Sequence, residues 1–364
     1  MITFDSVSKR YPDGTVALDE VSLECRTGQI TVFVGTSGGG KTTALRTINR
    51  MVDPTGGRVL IDGADVKASK PAELRRGIGY VIQQAGLFPH RTILDNIATV
   101  PYLLGASKRE ARPKALELME RVGLDPAMAG RYPFQLSGGQ QQRVGVARAL
   151  AADPPIMLMD EPFSAVDPVV RAELQAEFLR LQDELHKTIV FVTHDIDEAI
   201  KLGDKIAVFR TGGQLVQFDT PEDLLAAPAD DFVADFIGRD RGIRRLSFVK
   251  AGDVPLRPAP VLPVTSNVSA VGEDWSLVVD AANAPLGWVR SAGLGDAEGT
   301  LADARLEPLG HTFSIATDSA RAALDAAILS PSGLAVAVDP EGAVVGVAEQ
   351  RDIAGALAEP EDVR

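Results

Sequence analysis

Gly35-Thr36-Ser37-Gly38-Gly39-Gly40-Lys41-Thr42-Thr43 is the stretch from which the rest of this 364-residue chain can be read. An apolar run, Ile30 to Val34, precedes it and predicts a buried strand. Ala44-Leu45-Arg46-Thr47-Ile48 follows with helical spacing. The spacing G-x-x-x-x-G-K-T between a strand and a helix is a phosphate-binding loop. Glycines let successive backbone N–H groups turn inward around phosphate oxygens. The helix behind them adds free N–H groups and its positive dipole end. Lys41 supplies a positive charge for the terminal phosphates, and Thr42 a hydroxyl for Mg²⁺.

A second strand carries the acids such a loop needs. Pro155-Ile156-Met157-Leu158-Met159 runs into Asp160-Glu161, adjacent carboxylates that a strand would send to opposite faces. Asp160 is suited to hold Mg²⁺ and Glu161 to polarise a water. Other polar residues sit at element ends and have two readings each. Gln83 follows the strand Ile78 to Ile82 and is either a plain strand exit or a group reaching a metal or water at the sheet edge. Ser137-Gly138-Gly139-Gln140 opens a helix, as a cap or as a second anion site. His194 ends the strand Thr188 to Thr193, structural or functional. Tyr11, in the polar turn Lys9 to Gly14, is a surface staple or a platform for a base. Ser164 to Asp167 reads as a turn before a long amphipathic helix through His186.

Net charge is −13, with no basic stripe, which argues against a nucleic-acid partner. The single Cys25 excludes an intrachain disulfide and a multi-cysteine metal site, and suits a reducing compartment. No run of about 18 apolar residues exists and the N-terminus has no signal-like segment. The expectation is a cytoplasmic chain that meets a membrane only through a partner.

Taken together, the loop, Gln83, Leu136 to Gln140, Asp160-Glu161, Ser164 to Asp167 and His194 resemble the ATP-binding subunit of an ABC transporter, over residues 1 to about 242. The resemblance implies a P-loop α/β fold, a β-sheet core with a helical subdomain at about 86–152, and ATP with Mg²⁺ as ligands. It implies that residues 35–43 (Gly35, Thr36, Ser37, Gly38, Gly39, Gly40, Lys41, Thr42, Thr43) cradle the phosphates and that Tyr11 stacks on adenine. Thr42, Gln83 and Asp160 serve the metal, Glu161 is the general base, and His194 contacts the γ-phosphate. Ser137, Gly138, Gly139 and Gln140 complete the ATP site of the opposite subunit in a head-to-tail homodimer, and Asp167 is a further nucleotide-binding residue. Thr36 and Val166 depart from the family's commoner proline and leucine without removing a reacting group. Ile82 to His90, Asp195 to Ala199 and Phe232 to Arg241 are similar to importers of quaternary amines: glycine betaine, carnitine, choline or proline. This implies transmembrane permease subunits, an extracytoplasmic solute-binding protein, and a place on the cytoplasmic face of the membrane. An importer of another solute, an amino acid or polyamine, is the alternative. A non-transport ATPase is disfavoured, because only 96 residues separate Lys41 from Ser137 and leave no room for a long arm.

Beyond residue 242 the composition shifts. Residues 243–263 end in a proline-rich stretch and read as a linker. From Asp240 onward there are ten Lys or Arg against eighteen Asp or Glu, so this part is acidic. Two similar strand–turn–strand units follow, around Trp275 to Val289 and Leu334 to Val347, with an amphipathic helix over Ser319 to Leu329 before the second. They resemble a CBS pair over 264–358, a smaller α+β module whose first repeat is degenerate. Glu349 to Asp352 stands where that family often carries a nucleotide-binding motif. A purely structural dimerisation module and a ligand sensor both remain open.

Overall fold

The computed structural model describes residues 1–83, 86–164, 166–294 and 299–357. Gln84, Ala85, Ala165 and residue 358, included in stretches named above, lie outside them. The chain divides into two compact units, Met1–Ile237 and Gly238 onward.

The first unit is built on two sheets. Strands β1 (Ile2–Arg10), β2 (Val16–Cys25), β4 (Gly56–Ile61) and β5 (Ala64–Asp65) form an antiparallel sheet in the order β2-β1-β4-β5. The second sheet runs β10-β9-β3-β8-β7-β6. Its members are β3 (Ile30–Gly35), β6 (Ile78–Val81), β7 (Ile156–Asp160), β8 (Thr188–Val192), β9 (Lys205–Arg210) and β10 (Gln214–Asp219). All neighbours in it are parallel except β9 and β10. Every residue of β3, β7 and β8 is buried, which is why these strands read as continuous apolar runs rather than alternating ones. Phe33 fills the space between the sheets, edge-on to Phe4 and Phe209 with centroids at 6.0 and 5.3 Å. Because β3, β6, β7 and β8 are parallel, their carboxyl ends reach one edge, where ligands of open α/β sheets collect.

The helical part has its own core. Ile93, Ile97, Ala115, Met119 and Val144 pack together from the helices Ile93–Ile97, Lys108–Arg121 and Gly138–Leu150. Cys25 is buried, and burial pushes its thiol up to about 12, as expected of a core residue.

In the second unit, β11 (Val261–Pro263), β12 (Ser276–Val279) and β13 (Pro285–Val289) form one three-stranded sheet. A second contains β14 (Thr312–Ser314), β15 (Leu334–Val338) and β16 (Val344–Glu349). Both have one parallel and one antiparallel pairing in the same order. The repeat seen in the sequence is therefore a repeat of topology. Its second copy holds the helix Ala320–Leu329 between β14 and β15, while the first has only the short turn Val268–Ala270 before β12. Along that helix Ala320, Ala323, Ala326 and Ala327 face the core, whereas Ile328 and Leu329 are exposed.

Residues 243–263 are not a linker. Leu246, Ala251 and Val254 are buried with Phe313 in the core of the second unit, and β11 supplies an edge strand. Proline is compatible with an edge strand, so a proline-rich composition does not by itself mark a solvated connection.

Candidate functional site

The parallel edge of the main sheet brings most of the predicted residues together. An open cleft of about 540 Å³ is lined by residues 37–43 with Glu161 and His194. Its floor is the loop between β3 and the helix Lys41–Ile48. Two of its glycines are obligatory. Gly35 has φ +140°, and a Cβ there would stand 1.9 Å from the carbonyl oxygen of Phe209; Gly40 has φ +84°, and its Cβ would stand 1.9 Å from that of Ala17. The loop thus lies against β9 and β2 too closely for any side chain.

Lys41 is buried and folds back into the loop, donating to the carbonyls of Gly35 and Thr36 at 2.8 and 2.9 Å. Burial lowers its pKa, while Glu161 and Asp160 oppose that shift by favouring its charged form. Thr42 donates its hydroxyl to Asp160 Oδ1 at 2.8 Å, so the end of β7 meets the loop helix. The other oxygen of Asp160 faces Arg46 at 3.6 Å and the Tyr80 hydroxyl at 3.5 Å. Burial raises the Tyr80 pKa, which keeps the phenol a neutral donor.

The two carboxylates separate for a more specific reason than strand alternation. β7 ends at Asp160, and Glu161 turns off it with a left-handed φ of +46°. That conformation costs a non-glycine residue about 1–2 kcal/mol. The Glu161 N–H donates to the Val192 carbonyl at 2.9 Å, and the Ser164 hydroxyl donates to the Glu161 carbonyl at 2.9 Å. One oxygen of its carboxylate, Oε2, receives the Gln83 amide at 3.1 Å and faces His194 Nδ1 at 3.3 Å. Gln83, just beyond β6, and His194, just beyond β8, therefore converge on the same acid.

Three predicted groups are placed elsewhere. Tyr11, Ser137 to Gln140 and Asp167 do not line the cleft. Tyr11 is exposed, with the Lys9 ammonium 5.2 Å from its ring centroid. Ser137 and Gln140 cap each other: Ser137 Oγ accepts from the Gln140 N–H at 3.3 Å, and Gln140 Oε1 from the Ser137 N–H at 3.0 Å. Asp167 caps the helix Pro168–Leu185 by accepting from the Val169 N–H at 3.0 Å. Arg46 and Tyr80 are the site neighbours that sequence reading missed. The one available signal was a phenol inside the otherwise apolar Ile78-Gly79-Tyr80-Val81.

A glycine loop closed around a lysine, with a hydroxyl and two separated carboxylates at a parallel sheet edge, defines a P-loop nucleotide-binding cassette. Residues 18–164 match the family described as ABC transporter. The chain is 46% identical over 297 residues to the glycine betaine/carnitine/choline transport ATP-binding protein OpuCA of Bacillus subtilis, covering 79% of this chain and 78% of that protein. It is 46% identical over 316 residues to the osmoprotectant import ATP-binding protein OsmV of Salmonella typhimurium, covering 83% and 82%. Identity reaches 53% over 247 residues with the choline transport ATP-binding protein OpuBA of Bacillus subtilis, covering 68% of this chain and 65% of that protein. Among solved structures, it is similar to a dimeric ATP-binding cassette in a post-hydrolysis state bound to ADP and Pi. The TM-score is 0.56 at 35% identity, over 61% of this chain and 99% of that one. The chain belongs to the ATP-binding proteins of ABC transporters.

Proposed function

We propose that this chain hydrolyses ATP to energise import of a quaternary-amine solute such as glycine betaine, carnitine, choline or proline through partner membrane subunits. The observation that carries the chemical half is Glu161, turned out of β7 beside the phosphate loop and held by Gln83 and His194. The solute class is supported by the printed roles of the relatives, choline and osmoprotectant transport.

The loop N–H groups and Lys41 bind the β- and γ-phosphates, replacing the loop carbonyls that Lys41 now contacts. Thr42, Asp160 and Gln83 offer oxygen donors that fit Mg²⁺, which takes one or two protein ligands and fills its remaining positions from phosphate and water. When bound, that ion would neutralise charge developing between the phosphates. Glu161 orients the attacking water and accepts its proton, and His194 donates to the γ-phosphate. Tyr11 offers its ring to the adenine. Ser137 to Gln140 and Asp167 serve the nucleotide held by a second copy of the chain. Their position outside the cleft and the dimeric state of a solved relative support this arrangement.

Among the described residues no helix is long and apolar enough to cross a membrane. We place the chain at the cytoplasmic face of the membrane, held there by transmembrane permease subunits that carry the solute delivered by an extracytoplasmic solute-binding protein. The second unit is a CBS-like regulatory module, supported by its two sheets of like topology.

The test pairs nucleotide binding with turnover in Glu161→Gln. Binding should persist while hydrolysis falls by about 10²–10⁴-fold, the usual worth of a positioned base. Near-normal turnover would remove Glu161 from that role.

A further inference from the structure

A second cleft, of about 550 Å³, lies within the second unit, far in sequence from every group used above. Trp275, Trp288, Arg290, Arg305 and Glu307 line it. The chain's only two tryptophans both stand there. Trp288 is fully buried, and its indole N–H has no hydrogen-bond partner among the described residues. A buried donor left unpaired is uncommon in folded proteins, but this one is closed off from the open cleft, whose reachable polar groups are the exposed Arg290, Arg305 and Glu307.

Those charged groups point to an oxyanion. The guanidinium of Arg290 lies over the Trp275 ring, 4.6 Å from its centroid. Stacked in this way, a guanidinium keeps its N–H edge free for a planar, two-oxygen acceptor. Trp288 and Glu307 exchange both backbone hydrogen bonds, at 2.9 and 2.8 Å, so their side chains lie on the same face. Among the described lining residues two arginines stand against one glutamate, a net charge of about +1 in a segment that is otherwise acidic. A single oxyanion head balances that charge, whereas a polyphosphate would exceed it and face Glu307. The same glutamate suits a cationic nitrogen at the other end of the ligand.

We infer that this cleft binds a small carboxylate that also carries a cationic nitrogen, with the carboxylate on Arg290 and Arg305 and the cation toward Glu307. The site is independent of the ATP cleft, and the inference rests on these residues rather than on the transport reading.

Because both tryptophans line the cleft, the intrinsic fluorescence of the full chain reports on it directly. Glycine betaine, choline and acetate serve as probes. Glycine betaine and choline share a quaternary ammonium and differ in the carboxylate. Glycine betaine should change the emission saturably, choline at least tenfold more weakly, and acetate should fall between them. Arg290→Lys and Arg305→Gln, checked for folding by circular dichroism, should each weaken glycine betaine at least tenfold. Titration calorimetry on the same samples covers a complex that is silent in fluorescence. Absence of both signals, equal responses to betaine and choline, or indifference to both arginine changes would overturn the inference. So would tighter binding of ATP than of glycine betaine in this cleft.

Discussion

The two units solve opposite problems. In the first, polar groups at the sheet edge already have protein partners. Lys41 sits on loop carbonyls, Thr42 on Asp160, and Gln83 and His194 on Glu161. In the second, the buried indole N–H of Trp288 has no partner among the described residues, and the arginines of the cleft stand open to solvent. A preformed set of internal contacts keeps a catalytic site rigid until the nucleotide exchanges them for its own oxygens. Arginines open to solvent mark a place where the protein can take an acceptor from outside. The first pattern suits a site that must position atoms for chemistry, the second a site whose occupancy is itself the signal.

That contrast breaks most sharply at the phosphate loop. Lys41→Ala should remove charge-assisted contacts worth about 1.5–3 kcal/mol, and so weaken ATP about 10- to 100-fold in a binding assay. Gly40→Ala should act through the backbone. It adds a left-handed penalty of about 1–2 kcal/mol and a Cβ that collides with Ala17. Loss of nucleotide binding is expected, with retained binding meaning that the loop can move off β2.

A smaller effect is expected from the second unit. Every group assigned to ATP chemistry precedes Ile237, the last residue of the first unit. A chain ending at Gly242 should therefore still hydrolyse ATP with its membrane partners, while its response to internal salt or to glycine betaine should change. Unaltered regulation in the shortened chain would leave the second unit a structural module.

The smallest effect concerns Glu198, buried behind the site and accepting from the Gln175 amide at 3.0 Å. Burial raises its pKa above the ordinary glutamate value. A carboxyl with a raised folded pKa binds more protons folded than unfolded, so it costs stability as pH rises from the unfolded pKa through the folded one. Glu198→Gln should raise the melting temperature at neutral pH and leave it nearly unchanged near pH 4. An equal gain at both values would point to packing instead of charge.

How much was legible differs between the units for a physical reason. In the first, chemistry sits at the ends of strands buried on both faces, and runs such as Ile156 to Met159 advertise themselves. What could not be read there depends on tertiary placement. Arg46 and Tyr80 reach Asp160 across long sequence separations, and nothing local marks Glu161 as left-handed. In the second unit, a proline-rich stretch concealed the buried Leu246, Ala251 and Val254. The helix Ala320–Leu329 buries alanines while exposing Ile328, against the usual expectation that the larger apolar side chain goes inside. The site around Trp288 has no contiguous motif at all, because it is assembled from separate strands and turns.

We propose that the first unit's ATP chemistry drives movement of a quaternary amine. This is tested most directly by reconstituting the chain with its membrane and solute-binding subunits in vesicles and following uptake of labelled solutes with ATP on the cytoplasmic side. ATP-dependent accumulation of glycine betaine, carnitine, choline or proline is expected, abolished by Glu161→Gln. Hydrolysis and uptake driven instead by another amino acid or a polyamine, with no response to these solutes, would contradict it.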